Sequence, residues 1–254
     1  MRTQVAILGA GPAGLLLSHL LHKRGIASVI VERRSPDYVL GRIRAGVLEH
    51  GTVELLDEVG VGARLHAEGV VHSGVEFGLD GHRHRIELEA LVGRTVTVYG
   101  QTEVTRDLMD AGSRLGLPAI YEANVLALEH VDSDQPVVRY AKDGTVVAIH
   151  CDFIAGCDGY HGVSRPAIPS AKLTVYERSY PFGWLGLLAD VPPASDALYY
   201  ASSDRGFALC SMRSRSRSRY YLQCSLDERV DAWPDARFWD ELERRVGETV
   251  AAHL

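Results

Sequence analysis

QVAILGAGPAGLLL, residues 4–17, is the stretch that decides the fold of this chain. It holds an apolar run of strand length, a glycine-rich turn and the first residues of an apolar helix. A second apolar run, Ser28–Val31, follows the helix and ends at Glu32. A strand, a glycine turn, a helix, a strand and an acid form the order of a βαβ dinucleotide-binding unit. The stretch therefore predicts a Rossmann-like α/β domain.

Each glycine of the turn has a separate physical role. Gly9 allows the tight turn, Gly11 lets backbone N–H groups approach a pyrophosphate, and Gly14 allows the helix to pack close to the strand. Ala13 lies in the same turn, where the positive end of the helix dipole favours a phosphate. Glu32 follows Gly14 by eighteen residues, and we expect it to accept hydrogen bonds from both hydroxyls of a ribose.

A signal peptide and a membrane-spanning helix are the alternative interpretations of this apolar N-terminus. Both are disfavoured, because three glycines and Pro12 interrupt the run and a second strand follows without a cleavage site. Because the first core strand starts at residue 4, we expect a cytoplasmic protein that does not bind a membrane.

Composition limits the functions that the chain can have. Its 254 residues are 46% hydrophobic and 24% charged, which is enough for one large domain or two closely packed ones. A net charge of −6 argues against general affinity for nucleic acid. Four cysteines without C-x-x-C spacing are typical of buried, reduced thiols, and no H-E-x-x-H pattern occurs. We therefore predict neither a disulfide nor a metal site.

Hydrophobic periodicity predicts the remaining elements. Helices are expected over 47–59, 103–115 and 235–250, the first with Leu48, Leu55, Leu56 and Val59 on its inner side. Hairpins are expected around Asp80-Gly81 and Asp143-Gly144. A βαβ unit interrupted by antiparallel strands predicts a nucleotide domain that carries a smaller, β-rich substrate domain. The predicted nucleotide domain covers 1–71 and 100–175, and the substrate domain covers 72–99 and 176–254.

A second candidate site is FIAGCDGYHGVSR, residues 153–165, in which an apolar strand runs into Asp158. One interpretation is an ordinary Asp-Gly turn that ends a strand. The other is a ligand site, because open α/β sheets bind ligands at the carboxyl ends of their strands. In that case Asp158 holds a ribityl hydroxyl, and His161 and Arg165 face a second phosphate group.

The third candidate site is SMRSRSRSR, residues 211–219, in which serine and arginine alternate. An extended chain has a period of two, so its four arginines share one face: Arg213, Arg215, Arg217 and Arg219. Such a face suits a pocket for a small carboxylate, a solvated hairpin or an RNA-binding patch. We favour the carboxylate pocket, then the solvated hairpin, and RNA binding last because the chain is acidic overall.

The expected register of this tract supports the carboxylate pocket. If the chain folds back at Ser216, Ser211 faces Tyr221 and Arg213 faces Arg219. Two directly opposed arginines repel each other. A bound carboxylate between them would compensate their charge.

Six segments of the chain resemble the flavoprotein aromatic hydroxylases. They are VAILGAGPAGLLL (5–17), SPDYVLGRIRAGVLEHG (35–51), TVTVYGQTEVTRDL (95–108), FIAGCDGYHGVSR (153–165), YPFGWLGLLAD (180–190) and RGFALCSMRSRSRSRYYLQ (205–223). The last of these are specific to one kind of aromatic-acid hydroxylase rather than to flavoproteins at large. The resemblance implies an FAD-binding domain of the G-x-G-x-x-G type with an inserted, mostly antiparallel substrate domain.

The resemblance also implies roles for individual residues. Beyond the glycine turn and Glu32, the residues implied around FAD are Arg42, Arg44, Gln101, Asp158 and Arg219. Those implied for the nicotinamide nucleotide are Arg33, Arg34, Tyr38, His161 and Arg165. Ser211, Arg213 and Tyr221 would hold the substrate carboxylate. Tyr200 would be the catalytic residue that hydrogen-bonds the phenol, with His72 at the outer end of a proton relay.

The implied reaction is the hydroxylation of 4-hydroxybenzoate at its 3-position to 3,4-dihydroxybenzoate, with NAD(P)H and O2, by way of a flavin C4a-hydroperoxide. We expect NADPH, with NADH as the alternative, because Arg34 replaces a neutral polar residue of the family and positive charge favours a 2′-phosphate. A homodimer is expected. The alternatives are a salicylate-type hydroxylase, which would lack the carboxylate-binding set, and a non-catalytic flavin-binding protein.

The chain departs from the family at its C-terminus. The family continues through a second flavin motif of Gly-Asp type and a further relay tyrosine, whereas this sequence ends at Leu254, in the region of its last predicted helix. We therefore expect a C-terminally truncated chain, and we expect these 254 residues alone to be inactive as a hydroxylase.

Overall fold

The structure is a computed structural model that describes residues 1–42, 45–79 and 82–254. The described chain divides into two compact units, each discontinuous in sequence. The first unit comprises Met1–Ala45, Glu54–His66 and Gly100–Tyr176, and the second comprises Gly46–Val53, Ala67–Tyr99 and Glu177–Leu254. The sequence analysis placed 46–53 and 67–71 in the nucleotide domain, whereas these residues group with the second unit. The functional roles of the two units stay predictions.

Strands and helices are interspersed up to Leu115, and nine successive strands between Ala119 and Cys224 then precede the helix Asp235–Val246. The strands are β1 Val5–Leu8, β2 Ser28–Val31, β3 Val47–Glu49, β4 Val70–His72, β5 Val75–Leu79, β6 His82–Ile86, β7 Val96–Val98, β8 Ala119–Ile120, β9 Asn124–Glu129, β10 Val137–Lys142, β11 Thr145–His150, β12 Phe153–Gly156, β13 Gly183–Ala189, β14 Leu198–Ser203, β15 Gly206–Ser214 and β16 Arg217–Cys224. The helices are α1 Pro12–Lys23, α2 Pro36–Gly41, α3 His50–Glu58, α4 Ala63–Glu68, α5 Leu88–Val92, α6 Gln101–Leu115, α7 Asp235–Val246 and α8 Glu248–Ala251. Across the described ranges, no helix has both the length and the apolar character needed to cross a membrane.

A four-stranded parallel sheet forms the centre of the first unit, in the order β12-β1-β2-β8. All four residues of β1 are buried, as expected for an inner strand of a parallel sheet. Helix α1 packs against α6, where His19 Nε2 donates a hydrogen bond to the Leu108 carbonyl oxygen at 2.9 Å. The predicted strand–turn–helix–strand unit is confirmed.

A three-stranded antiparallel sheet, β11-β10-β9, completes the first unit. Lys142 pairs with Thr145, so the β10–β11 loop consists of Asp143 and Gly144 alone. Both loop residues have positive φ, 50° and 74°, as a type I′ hairpin turn requires. The hairpin predicted from the Asp-Gly pair is confirmed here. The other predicted pair, Asp80-Gly81, lies outside the described residues, although β5 and β6 on either side of it do pair.

A six-stranded sheet in the order β13-β16-β15-β14-β5-β6 dominates the second unit. One face of this sheet packs on α7, and Tyr220, Leu222 and Leu242 are fully buried between them. A small antiparallel sheet, β3-β7-β4, belongs to the same unit, and β7 lies against β15. The predicted antiparallel substrate layer therefore contains two sheets rather than one.

Two predicted helices are wrong in part. The segment 47–59 begins as a strand, because Val47–Glu49 pairs with Val96–Val98, and only His50–Glu58 is helical. Leu56 of that helix is buried, but Leu55 is 38% exposed. The last helix ends at Val246 because Gly247 adopts φ 80° and ψ 159°, which is not a helical conformation, before α8 begins.

The α7 face of the six-stranded sheet gives a test of this packing. Replacing the fully buried Leu242 by alanine leaves a cavity, and we expect the free energy of unfolding to fall by about 2–5 kcal/mol. All three tryptophans lie in the second unit, so tryptophan fluorescence during urea unfolding follows that unit. Leu226→Ala, at a side chain 66% exposed, is the matched control. An equal effect of both substitutions would contradict the described core.

Candidate functional site

The glycine turn of the first unit brings three backbone segments into close approach. Gly9 has φ +100°, and its N–H donates to the Val31 carbonyl oxygen at 2.8 Å. A Cβ on Gly9 would lie 2.5 Å from the Cys157 carbonyl oxygen, and a Cβ on Gly14 would overlap the Gly9 carbonyl oxygen. Helix α1 starts directly after Gly11, without a side-chain cap. The turn therefore requires glycine and presents the positive end of a helix, which suits a phosphate.

Glu32 stands beside this turn, at the end of β2. Its Oε2 accepts a hydrogen bond from the Ala10 N–H at 2.9 Å, and its Oε1 accepts one from the Arg34 N–H at 2.8 Å. Burial, together with the negative charge of Glu32, raises the pKa of Tyr121. A carboxylate has about four acceptor positions, so Glu32 retains capacity for sugar hydroxyls.

Asp158 is held by its own loop at the end of β12. Its Oδ2 accepts from the Ser164 N–H at 3.0 Å, and its Oδ1 accepts from the Ser164 hydroxyl. A Cβ on Gly162 would overlap the carboxylate, so the loop closes tightly over it. A cavity of about 1140 Å³ lies beside Asp158 and Arg165. The geometry agrees with both interpretations of this motif, and the contact with a ribityl hydroxyl stays a prediction.

The residues predicted for the nicotinamide nucleotide lie in two clusters of the first unit. Arg34 and Arg42 both approach the ring of Tyr38, with Cζ at 4.7 and 5.7 Å from its centroid. Arg165 Cζ lies 4.6 Å from the ring centroid of Tyr160, which in turn contacts His161 edge-on. Three further residues belong to the predicted cofactor sets. Arg33 is exposed, and Arg44 lies outside the described residues. Gln101 starts α6 and donates its N–H to the Ala45 carbonyl oxygen.

The predicted substrate residues share one face of the six-stranded sheet. Tyr200 pairs with Leu209, and Leu209 pairs with Tyr221, so these side chains stand in one row. The alternate residues, Tyr199 and Tyr220 among them, are buried towards α7. The other row of this outer face pairs Ser211 with Arg219. Strand alternation thus brings Ser211, Tyr221 and Tyr200 to the same side.

The predicted register of the arginine tract is wrong. Ser211 pairs with Arg219 rather than with Tyr221, and the turn consists of Arg215 and Ser216. The register shifts between Met212 and Ser214, so Arg213 occupies a β-bulge and pairs directly with no residue of β16. The physical reason is the extra residue on β15, which offsets the two strands and re-aims the bulged side chain.

The four arginines of this tract do not behave alike. Arg215 and Arg217 are exposed, and Arg217 forms an ion pair with Asp190 at 2.6 Å. Arg213 is half-buried, and burial together with the positive charge of Arg219 lowers its pKa. Arg219 Cζ lies 5.4 Å from the ring centroid of Tyr221. Two cations so close on a partly desolvated face favour the binding of an anion.

Aromatic rings continue this outer face beyond Tyr200. Phe77 stacks on Tyr200 with ring centroids 5.4 Å apart, and Phe207 lies 6.1 Å from Tyr200. Trp184 packs edge-on against Phe207 at 5.2 Å. Burial raises the pKa of Tyr200. These rings were not predicted from the sequence, although the alternation around Phe207 was a signal that could have found them. The face combines a cationic region with an aromatic one.

His72 lies on β4 of the second unit and is only 3% exposed. Within the described ranges, neither of its ring nitrogens has a hydrogen-bond partner. Burial, followed by the charge of Arg85, lowers its pKa, while Asp196 opposes the shift. A buried imidazole without partners is suited to exchange protons through water, and its place in a relay stays a prediction.

The cysteines give no sign of nucleophilic chemistry. All four are free thiols; Cys151 and Cys210 are buried, and Cys157 and Cys224 are partly exposed. Burial raises the pKa of Cys210 to about 12, so this thiol stays protonated at neutral pH. In the part of the chain that the structure describes, no group of three or more His, Cys, Asp or Glu side chains could hold a metal ion.

Comparison with known proteins identifies sequence relatives. The FAD binding domain family matches residues 2–254. The p-hydroxybenzoate hydroxylase of Acinetobacter baylyi is 55% identical over 247 residues, which are 97% of this chain and 61% of that protein. The pentachlorophenol 4-monooxygenase of Sphingobium chlorophenolicum is 25% identical over 169 residues, which are 65% of this chain and 31% of that protein. The chain thus spans less than two thirds of either relative.

A solved structure shares the fold. The crystal structure of PqsL, a probable FAD-dependent monooxygenase from Pseudomonas aeruginosa, has a TM-score of 0.82 and covers 99% of this chain and 69% of its own. Sequence identity is 20%, so this likeness concerns the fold alone. It agrees with the mixed α/β fold described above.

The buried imidazole of His72 predicts a pH dependence of stability. Its pKa is lowered in the folded protein, so the unfolded chain binds more protons once the pH falls below about 6.5. We expect the free energy of unfolding, followed by tryptophan fluorescence, to fall between pH 7.5 and 5.5, by at most about 1.4 kcal/mol per pH unit from this group. His72→Asn should reduce that slope, whereas His84→Asn, at an exposed position of β6, should not. Equal slopes in all three proteins would exclude the buried, neutral imidazole.

Proposed function

The chain belongs to the FAD binding domain family, and we propose that the protein is an FAD-dependent monooxygenase that hydroxylates 4-hydroxybenzoate at the 3-position. The observation that carries this proposal is the outer face of the six-stranded sheet. There the half-buried Arg213 lies close to Arg219, and Tyr200 stacks with Phe77 on the same face. A cationic region beside aromatic rings matches the chemistry of a phenolic carboxylic acid.

The first unit fits the ADP half of FAD. Gly9 and Gly14 allow a close approach that any Cβ would block, and α1 directs its positive end towards the turn. Glu32, fixed by two backbone N–H groups, would accept the ribose hydroxyls. When bound, FAD supplies the redox chemistry that activates dioxygen and transfers one oxygen atom to the ring. Arg42, Gln101, Asp158 and Arg219 would complete its surroundings.

The second unit would bind and orient the substrate. Arg213 would hold the carboxylate through a charge-assisted pair of hydrogen bonds, with the hydroxyls of Ser211 and Tyr221 donating to it as well. Tyr200 would hydrogen-bond the phenol at the other end of the ring. Loss of the phenolic proton through Tyr200, and onward to His72, would raise the electron density of the ring carbon that receives oxygen. Fixing both ends of the ring would define which carbon reacts.

The co-substrate would be NADPH. Arg34 and Arg42 flank Tyr38, and Arg165 stacks on Tyr160. This concentration of positive charge favours the extra 2′-phosphate of NADPH over NADH. Arg33 and His161 would add to the same nucleotide contacts. A homodimeric assembly, a cytoplasmic location and the inactivity of these 254 residues alone stay predictions.

The role of Glu32 can be tested by FAD titration of the full-length protein. Glu32→Ala removes a charged acceptor, which should cost about 1.5–3 kcal/mol and so weaken FAD binding about 10- to 100-fold. Glu129→Ala, at a surface acid of β9 paired with Arg139, is the control and should bind FAD as the unmodified protein does. Unchanged FAD affinity in Glu32→Ala would remove this residue from the cofactor site.

The separate roles of Arg213 and Tyr200 test the proposed reaction. Arg213→Lys replaces a planar fork by a point donor and should raise the dissociation constant for 4-hydroxybenzoate about tenfold. Tyr200→Phe should bind substrate nearly as well, but should consume NADPH while forming hydrogen peroxide in place of hydroxylated product. The measurements are product formed per NADPH consumed and substrate affinity. Normal affinity in Arg213→Lys together with full coupling in Tyr200→Phe would disprove the proposed pocket.

A further inference from the structure

Gly46 lies against the guanidinium of Arg213 in the second unit. A Cβ built on Gly46 would overlap Arg213 Nη1 and would lie 2.7 Å from Cζ. No motif in the sequence links the two residues. Arg213 belongs to β15, whereas Gly46 lies just before β3. The contact is therefore a product of the tertiary structure.

The backbone of Gly46 does not itself require glycine. Gly46 is not among the glycines with positive φ, unlike Gly9 and Gly247. Its carbonyl oxygen accepts the Tyr99 N–H at 2.9 Å, which continues the β3–β7 ladder. An alanine could adopt such a conformation without strain. The feature that excludes a side chain is the guanidinium of Arg213.

The surroundings of Arg213 make this contact consequential. Arg213 occupies the bulge of β15, where the extra residue re-aims the side chain. Gly46 accepts the N–H of Tyr99, the residue that follows β7. Strand β7 itself lies against β15. The guanidinium thus rests against the backbone beside this ladder, at a residue that has no side chain.

We propose that Gly46 is a positioning residue, whose missing side chain fixes the Arg213 guanidinium at the depth needed to bind the substrate carboxylate. The inference rests on the proposed function, in which Arg213 is the carboxylate ligand. A second glycine, Gly186, also lies against a predicted substrate residue, but at a longer distance. A Cβ on Gly186 would lie 3.0 Å from Tyr221 Cε1. At Gly46 the overlap falls on the end of the Arg213 side chain, so an added Cβ would displace the guanidinium rather than the strands.

The test is a double-mutant cycle between Gly46→Ala and Arg213→Lys in the full-length protein. Gly46→Ala should raise the dissociation constant for 4-hydroxybenzoate about 10- to 100-fold, as expected when a hydrogen-bonded charge pair is misaligned. In the Arg213→Lys background, which lacks the Nη atoms, the same substitution should change affinity by less than about threefold. Gly51→Ala is the matched control, because nothing lies within 4 Å of a Cβ at that position of α3. It should bind as the unmodified protein does.

The same four proteins give a readout that needs no substrate. Gly46→Ala should lower the thermal midpoint in the Arg213 protein and should lower it less in the Arg213→Lys protein, because the steric conflict is relieved. Equal losses in both backgrounds, in affinity and in midpoint, would show a general structural role and overturn the proposal. So would unchanged affinity in Gly46→Ala, or a single variant that fails to fold and is not restored by Arg213→Lys. If the unmodified protein binds no 4-hydroxybenzoate, the proposed function fails, and the thermal cycle alone decides the Gly46–Arg213 contact.

Discussion

In both units, backbone hydrogen bonds between adjacent strands fix the register of the strands. The register decides which residues are neighbours across the sheet, and the candidate sites are built from such neighbours. In the first unit Leu8 pairs with Val31 on one side and with Gly156 on the other, so the three strands end together. The residues that follow them carry the glycine turn, Glu32 and Asp158. In the second unit the pairing of Tyr200, Leu209 and Tyr221 brings Tyr200 and Tyr221 into one row.

Burial of the opposite face against α7 makes this alignment energetically strict. A register slip of one residue would turn Tyr220 and Leu222, both fully buried, towards the outer face. The same slip would drive Arg213 and Arg219 into the apolar core, where an unpaired charge is costly. The polar chemistry of the outer face is therefore stabilised by hydrophobic contacts that the ligand never touches.

The arginines of the second unit lie in different electrostatic surroundings. Exposed pairs such as Arg217–Asp190 lie in solvent and contribute little to stability. Arg213 is different, since burial and a neighbouring cation both act against its charge. The proposed anionic ligand would bind on this half-buried, aromatic face, beside Arg213 and Arg219. The proposal depends on the position of these charges and not on the net charge of −6.

The sequence by itself predicted the elements whose signals are local. The glycine turn, the flanking strands and the Asp143-Gly144 hairpin were all correct, because turn chemistry and periodicity act within a few residues. The family resemblance also implied that Ser211, Arg213, Tyr221 and Tyr200 belong to one site, and this set stays a prediction.

Tertiary structure alone decided the rest. Val47–Glu49 became a strand because β7 offers it a partner, and Gly247 ended α7 through a backbone conformation that periodicity does not report. The contact of Arg213 with Gly46 joins segments far apart in the chain. The physical reason is steric and long-range. The side chain that contacts a glycine depends on which strand folds next to that glycine.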